Sequence, residues 1–389
     1  MSKSDDRKRR KRDAHIKVKR ARDAVLAAES QLQRTLQTAN QLSPQLISDV
    51  LAVPWPKSQQ LISIALTRSP LRDELMPDAF PPDIFSFGIK RSYGLTANLN
   101  SELQLILSVL ITFKRQLQLF LSSFGRFERS VLLGDLPAAR SERATVIGTH
   151  GTSMWSIETG LLLGELEQGV KGSREALSEV QEATKSPYVG LLSSFMSLRI
   201  EAMESVSGYT AALRSLLAPA RYETKLQSLI AETVFRLNLH DFQQHRHLHA
   251  ILELSRGYSL CDAYNTFVRV LLVMASHPHN VAYKQMLSTV VPKAAEAFDD
   301  HRLWTLLALT DAQSDLHVDA LSDSLFFLCD QYARGDYASV LSGATGMLSQ
   351  YPHCFELYEL AARASANGQL AVPECLPQPS VSATLLAAC

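Results

Sequence analysis

The sequence predicts an all-α protein, and three features of the chain indicate it. The stretches "SELQLILSVLITFKRQLQLFLSSF" and "YVGLLSSFMSLRIEAMESVSGYTAALRSLL" repeat apolar residues at intervals of three and four, which is the spacing of one helix face. Apolar and polar residues never alternate over a long enough run to favour a strand over a helix. Only six prolines fall between residues 95 and 370. Because proline interrupts helices, we expect this region to be helical almost throughout.

Residues 1–42 are predicted to be a basic tail that continues into a helix. Residues 1–22 hold eleven Lys and Arg but three Asp, so a tail of charge +8 precedes a remainder of −8. The residues that follow contain neither Pro nor Gly up to about Gln41. Val25, Leu32 and Leu36 form only a thin apolar stripe, which predicts an exposed helix.

Residues 43–94 are predicted to be a small helical region with a Pro-rich connector. Ser43 before Pro44 is a favoured helix start, because the serine accepts a backbone hydrogen bond and proline fits the first helical turn. Six prolines fall between residues 53 and 94, and one helix, Lys57 to Thr67, is expected among them. We therefore place a boundary near residue 94.

Residues 95–370 are predicted to form pairs of helices, and residues 371–389 a C-terminal tail. Asn98 or Asn100 is the expected cap of a helix that runs through "SELQLILSVLITFKRQLQLFLSSF". The longest apolar run, Leu103 to Phe113, is too short for the roughly 20 residues of a membrane span. Five cysteines without a Cys-x-x-Cys pair argue against a disulfide framework and a zinc ribbon.

The stretch "GDYASVLSGATGMLSQYP" carries a repeat signal near the C-terminal end. Gly335 and Asp336 precede Pro352 at a helical distance, and "FELYELAARASANGQ" follows as a further helix. This arrangement resembles the turn and second helix of a tetratricopeptide repeat, followed by the first helix of the next repeat. The residues expected to pack between helices are Ala338, Ala344, Tyr358 and Leu360.

A second copy of this pattern begins at "LLGDLPAARSERATVIGTHG". The matching residues are Leu133, Gly134, Asp135, Leu136 and Ala139, with a turn at His150 and Gly151 and an inward face at Trp155 and Leu161 to Leu163. The resemblance implies an irregular α-solenoid that works by binding, because neither helix of a pair buries its face unaided. Because the two copies are 201 residues apart, which only approximates six periods of about 34 residues, the intervening helices are expected to be irregular or of unequal length. A helical bundle with two chance Gly-Asp turns is the alternative.

The histidine cluster "NLHDFQQHRHLHAILEL" is the strongest candidate for a metal site. On a helix, Asp241, His245 and His249 share a face, since they are spaced by four residues, and His247 points away. Two His and one carboxylate can bind Zn²⁺ or Ni²⁺. The alternative is a solvated, partly basic helix face, since no His-Glu-x-x-His motif or nearby Cys completes the set.

A candidate catalytic site is the pair Arg143 and His150, which resembles the Arg and His of HEPN-type ribonucleases. The resemblance would imply cleavage of RNA, and Gly148 makes the intervening helix a poor platform for it. The chain contains no phosphate-binding loop, nucleophile elbow or dinucleotide fingerprint, so no cofactor is expected.

The basic tail is a candidate for binding nucleic acid or an acidic partner. The candidate binding residues are the Lys and Arg of its most basic part, namely Arg7, Lys8, Arg9, Arg10, Lys11, Arg12, Lys17, Lys19, Arg20 and Arg22. Because the tail has no aromatic residue to stack on bases, any nucleic-acid contact would run through the phosphate backbone. A merely solubilising tail is the third interpretation.

These features together predict a cytoplasmic, non-catalytic scaffold or adaptor that binds another protein through a helical-repeat surface, with the basic tail contacting an acidic partner. The alternative is a nucleic-acid-associated helical protein, such as a nuclease or another component of a toxin or defence system. Self-association is left open, and no secretory leader is expected because the first residues lack an apolar segment.

Overall fold

The protein is all-α, as the sequence predicts: in a computed structural model, the described residues form helices and no strand. The description covers residues 29–88, 94–200, 244–275, 280–310 and parts of 324–371. The basic tail, the segment after residue 200 and the C-terminal tail lie outside it.

Fourteen helices with defined bounds occur in the described ranges, and residues 29–38 are also helical. In chain order the helices are α1 (Pro44–Ala52), α2 (Lys57–Leu66), α3 (Ser69–Leu75), α4 (Leu99–Thr112), α5 (Lys114–Leu132), α6 (Leu136–His150), α7 (Met154–Gln168), α8 (Val170–Ala183), α9 (Pro187–Ile200), α10 (His245–Ser255), α11 (Leu260–Ala275), α12 (Val281–Ala297), α13 (His301–Thr310) and α14 (Tyr337–Leu348).

The predicted caps form. Ser43 accepts a hydrogen bond from the Leu46 amide at 3.1 Å. Asn98, rather than Asn100, caps α4, because its side chain accepts from the Ser101 amide at 3.0 Å. These short polar side chains satisfy amide groups that a helix N-terminus leaves unpaired.

The first helices depart from the prediction at two places. The short helix α3, with Pro70 in its first turn, lies where only connector was expected. The helix over residues 29–38 is not simply exposed, since Leu36 is fully buried in the main core. The Arg68 guanidinium donates to the Leu36 carbonyl at 2.7 Å, and the Leu42 amide donates to the Glu74 carboxylate at 2.6 Å. These contacts attach residues 29–42 to α3 and to the residue that precedes it.

Helix α4 lies at the centre of the largest apolar core. It packs against α2 on one side and against α10, α11 and α12, which come more than a hundred residues later. The core therefore draws residues from both sides of the predicted boundary near residue 94. In a linear solenoid each repeat contacts only its neighbours. A repeat-like array alone therefore does not account for this long-range packing.

Helices α4 and α5 were predicted as one helix, but the chain bends by 85° between them at Phe113. The bend lets α5 pack its own apolar stripe, including Phe120 and Phe127, against Trp155. The Phe113 ring lies edge-on to Phe80 at 5.7 Å. No single helix in the described ranges is long and apolar enough to cross a membrane, and the bent pair α4–α5 reaches that length and composition only when both halves are combined.

The two predicted Gly-Asp turns have the same backbone hydrogen bonds. Gly134 and Gly335 have φ of 72° and 80°, a region that glycine adopts without strain. The amides of Asp135 and Asp336 donate to the carbonyl five residues earlier, at 2.9 and 3.0 Å. Each aspartate also accepts from the amide three residues later, so both turns start a new helix in the same way.

Most of the predicted inward positions are buried, and Leu162 is partly buried. The buried residues are Ala139, Trp155, Leu161, Leu163 and Ala344. Ala338 is exposed, so the prediction that it supports close helix packing is wrong. The reason is geometric: it lies in the first turn of α14, before that helix meets Leu328 at Gly343. Leu360 is partly buried against the C-terminal cluster around Leu357, and Tyr358 lies outside the described residues.

Candidate partner-binding surface

The helices α6 to α9 form a layer whose outer members leave much of their surface exposed. Helix α7 buries residues along most of its length, whereas α8 fully buries only Gly172 and Ser173. A Cβ on Gly164 of α7 would lie 2.6 Å from the Gly172 carbonyl oxygen, so the two helix backbones are in direct contact. This close approach holds α8 against α7, and α9 packs on α8 as well.

An exposed aromatic patch, defined here as Phe85, Lys185 and Tyr188, lies at one end of this layer. The Phe85 side chain is 51% exposed and that of Tyr188 is 38% exposed. The Lys185 ammonium lies 3.6 Å from the centre of the Phe85 ring, which is a cation–π contact. The lysine thus holds an otherwise exposed ring in one orientation.

The loop before residue 89 is fixed to the start of α9, and this contact forms the patch. The Ser186 hydroxyl donates to the Gly88 carbonyl at 3.0 Å. Gly88 has φ of 70°, and a Cβ there would lie 2.7 Å from the Val189 side chain, so the loop backbone sits directly on α9. Asp83 closes the loop by accepting from the Ser86 amide and hydroxyl, both at 2.9 Å. These bonds lower the pKa of the Asp83 carboxyl.

A second feature of the layer is the Arg143 slot, defined as Arg143 on α6, Ser156 and Gly160 on α7, and Glu179 on α8. The Arg143 Nε donates to the Ser156 carbonyl at 2.7 Å. A Cβ on Gly160 would lie 2.7 Å from the Arg143 Nη2, so the guanidinium occupies the space that a side chain would otherwise fill. Because Gly160 has no side chain, the Arg143 guanidinium can pack against α7 at this position.

Arg143 differs from the other arginines of α5 and α6 that face this layer. Arg126 binds Glu142 through two hydrogen bonds of 2.7 and 3.0 Å, and Arg140 binds Glu167. No described carboxylate lies within ion-pair distance of Arg143. Burial lowers the pKa of its guanidinium, and the charge of Glu179 opposes that shift. Arg143 is thus a half-buried cation with a nearby, but not bonded, carboxylate.

The aromatic patch and the Arg143 slot lie at the same end of the α7–α8 hairpin. Ser156 is in the first turn of α7, and Glu179 is in the last turn and a half of α8. Because the two helices are joined by a tight turn at Gly169, the start of α7 meets the end of α8. Lys185 lies six residues after Glu179 and two residues beyond the end of α8.

The structure does not bring the candidate catalytic residues Arg143 and His150 to a common solvent-facing site. They lie seven residues apart on α6, about two helical turns. His150 is 3% exposed, its Nε2 lies 2.8 Å from the Gln116 carbonyl oxygen, and its Nδ1 lies 2.7 Å from the Thr149 hydroxyl. The ring also contacts Phe80 and Phe120. In this arrangement His150 joins α6 to α5.

The histidine cluster is divided among different partners. His245 stacks on Tyr283 with ring centres 4.6 Å apart, and the His249 Nε2 lies 3.0 Å from the Thr96 hydroxyl. His247 is buried. Asp241 lies outside the described residues, and within them no group of three metal-binding side chains forms. The cations of the tail, Arg7 to Arg22, also lie outside the description.

The aromatic patch was missed by sequence reasoning, because Phe85 belongs to an irregular Pro-rich loop and Tyr188 begins a helix about a hundred residues later. The only signal available was the aromatic content of "FPPDIFSFG", which does not distinguish a buried ring from an exposed one. No protein-family profile, curated protein or solved structure matches the chain. The candidate surface is therefore defined by its geometry alone.

Proposed function

We propose that the protein is a non-catalytic scaffold or adaptor that binds another protein through the outer surface of α6 to α9. The observation that carries this proposal is the aromatic patch, in which the exposed Phe85 ring lies against Lys185 on a fixed loop and the exposed Tyr188 lies in the first turn of α9. Exposed aromatic side chains on a rigid support are the typical anchors of protein interfaces.

Binding at the aromatic patch depends on side-chain conformational entropy as well as on the apolar area that a partner buries. A flexible surface ring loses rotamer freedom when a partner covers it, and this loss opposes binding. Here the Lys185 ammonium already orients the Phe85 ring, and the Ser186 bond fixes the backbone beneath it. Burial of the rings against a partner therefore contributes apolar transfer energy at a reduced entropic cost.

The basic tail supplies a second contact in this proposal. Its charge of +8 favours an acidic partner surface, and such attraction accelerates encounter more than it lengthens the lifetime of the complex. The contact is expected to weaken as salt is raised, whereas the apolar contact at the patch is expected to persist.

The test is affinity purification of the full chain from its native host at moderate salt. Wild type is expected to recover one stoichiometric protein, and the double variant Phe85→Ser/Tyr188→Ser is expected to lose it. Val281→Ser is the matched control, because Val281 is an exposed apolar residue, 77% accessible, on the distant helix α12. Melting temperatures of all variants should agree.

Retention of the protein by the double variant would contradict the patch as the binding site. Recovery of nucleic acid instead, removed by nuclease and by deletion of residues 1–22, would favour the nucleic-acid alternative.

A further inference from the structure

We propose that the Arg143 slot binds a carboxylate side chain of the partner protein. This inference rests on the proposed function and specifies the chemistry of the segment that is bound. It is carried by the contrast between Arg143 and its paired neighbours: Arg126 and Arg140 each hold a carboxylate, and Arg143 holds only a backbone carbonyl through its Nε.

Arg143 is partly exposed, and its guanidinium makes a single hydrogen bond within the described residues. Its Nε is used by Ser156, and its face lies against the helix at Gly160. Neither Nη group has a hydrogen-bond acceptor among the described residues, and guanidinium groups bind carboxylates through such pairs of parallel N–H donors. The position is partly buried, so an ion pair formed there is screened less by salt than one on the open surface.

The surrounding charge selects a single carboxylate over a polyanion. Glu179 contributes negative potential at the guanidinium, and Glu175 lies one turn earlier on α8. A nucleic-acid backbone would meet these carboxylates at successive phosphates, and their repulsion would oppose its attraction to Arg143. A lone Asp or Glu on a peptide needs only the charge of Arg143 as its counter-ion.

The neighbouring aromatic patch provides a second contact for the bound peptide. Since both features lie at the same end of the α7–α8 hairpin, one peptide segment can place an apolar residue on Phe85 and Tyr188 and a carboxylate on Arg143. The expected motif is therefore acidic and apolar, with the two residues a few positions apart.

The experiment measures binding of the full chain to an octapeptide array in which every Asp- or Glu-containing sequence has an Asn or Gln twin. Measurements at raised salt suppress the contribution of the basic tail. Wild type is expected to bind a subset of acidic peptides about tenfold or more tightly than their twins, because a hydrogen bond to a charged group has that effect. Arg143→Met should abolish this preference, since methionine preserves the apolar contact with Gly160 and removes the charge.

Three further variants distinguish carboxylate binding at the Arg143 slot from non-specific electrostatic attraction. Arg115→Met, which removes an exposed arginine of α5, should keep the preference. Glu179→Gln should increase it, because the competing carboxylate is gone. Gly160→Ala should reduce it while the chain stays folded, since the new Cβ displaces only the flexible end of Arg143.

Equal binding of acidic peptides and their twins by wild type, or an acidic preference that survives Arg143→Met, would overturn the proposal. So would an oligonucleotide that binds wild type and fails to bind Arg143→Met. If peptides bind without a carboxylate preference and the patch variants still lose the partner, the scaffold function stands and only this inference fails.

Discussion

Arg256 and Glu102 are 154 positions apart in the chain and form an ion pair in the core, with both side chains fully buried. The Arg256 Nε donates to Glu102 at 2.6 Å, and its Nη1 donates to the Leu75 carbonyl at 3.1 Å. The Thr96 hydroxyl donates to the other Glu102 oxygen at 2.6 Å and lies beside His249. The network joins α3, α4 and α10, and it satisfies the charge of a fully buried arginine.

We expect Arg256→Met to destabilise the protein by about 3–5 kcal/mol, because it leaves the buried Glu102 carboxylate without its counter-charge. The double variant Arg256→Met/Glu102→Leu should recover much of that loss, since no charge then remains in the core. Urea unfolding of the two single variants and the double variant measures this. A double variant whose loss equals the sum of the single losses would contradict the account.

Tyr264 gives the protein a predicted sensitivity to alkaline pH. Its hydroxyl donates to Asp300 at 2.7 Å in the core. Burial, assisted by the Asp300 charge, raises the pKa of the Tyr264 phenol well above its ordinary value. The unfolded chain therefore releases this proton first, at about pH 10, so the contribution of Tyr264 to stability is complete below that pH and is lost as pH rises toward the folded pKa.

We expect Tyr264→Phe to flatten the fall of unfolding free energy above about pH 10 by up to 1.4 kcal/mol per pH unit, the slope for one proton. Near neutral pH the variant should be less stable by about 1 kcal/mol, because Asp300 loses a hydrogen bond. Urea unfolding at several pH values tests both statements. Parallel pH profiles for wild type and variant would show that Tyr264 does not titrate in this way.

At the scale of single elements, the N-terminus of α7 depends on a side chain from another helix. The Asp262 carboxylate of α11 accepts from the amides of Met154 and Trp155 at 2.8 and 3.1 Å, and from the Ser259 hydroxyl at 2.8 Å. Ser153 caps the same helix locally by accepting from the Ser156 amide. The carboxylate thus satisfies two buried amides that a local cap does not reach.

Asp262→Ala is expected to cost about 2 kcal/mol or more, because these buried amides lose their acceptor. Hydrogen exchange at the first turn of α7 should accelerate, and the solvent-exposed cap variant Asp135→Ala should have a smaller effect on stability. Unchanged exchange in the first turn of α7 would show that Asp262 does not hold that helix end.

Local signals in the sequence were sufficient for several elements and failed for others for identifiable reasons. Ser43, Asn98 and the two Gly-Asp turns were predictable, because a cap or a positive φ depends on a few neighbouring residues. The bend at Phe113 was not, since no Pro or Gly marks it and the packing of α5 on Trp155 determines it. The partners of Glu102, Asp262 and Arg143 could not be predicted from the sequence either, because each residue bonds to a partner from another part of the chain.

At the scale of the whole molecule, α4 organises one core with helices that precede it and with α10 to α13, and the layer α6 to α9 extends from it. The layer is joined to that core through Asp262 and through Cys261, which packs with Trp155. A rigid core with an exposed helical layer is suited to presenting a binding surface, since the surface residues do not also have to hold the fold together. The aromatic patch and the Arg143 slot both lie on this layer.

The most direct test of the central claim is site-specific photo-crosslinking in the native host. A photo-reactive phenylalanine replaces Tyr188 in one variant and Leu272 of α11 in another, two residues that are equally exposed at 38%. Position 188 is expected to give one protein adduct of defined mass, and position 272 is expected to give none. Absence of an adduct at position 188, or the same adduct at both positions, would contradict the assignment of α6 to α9 as the partner-binding surface.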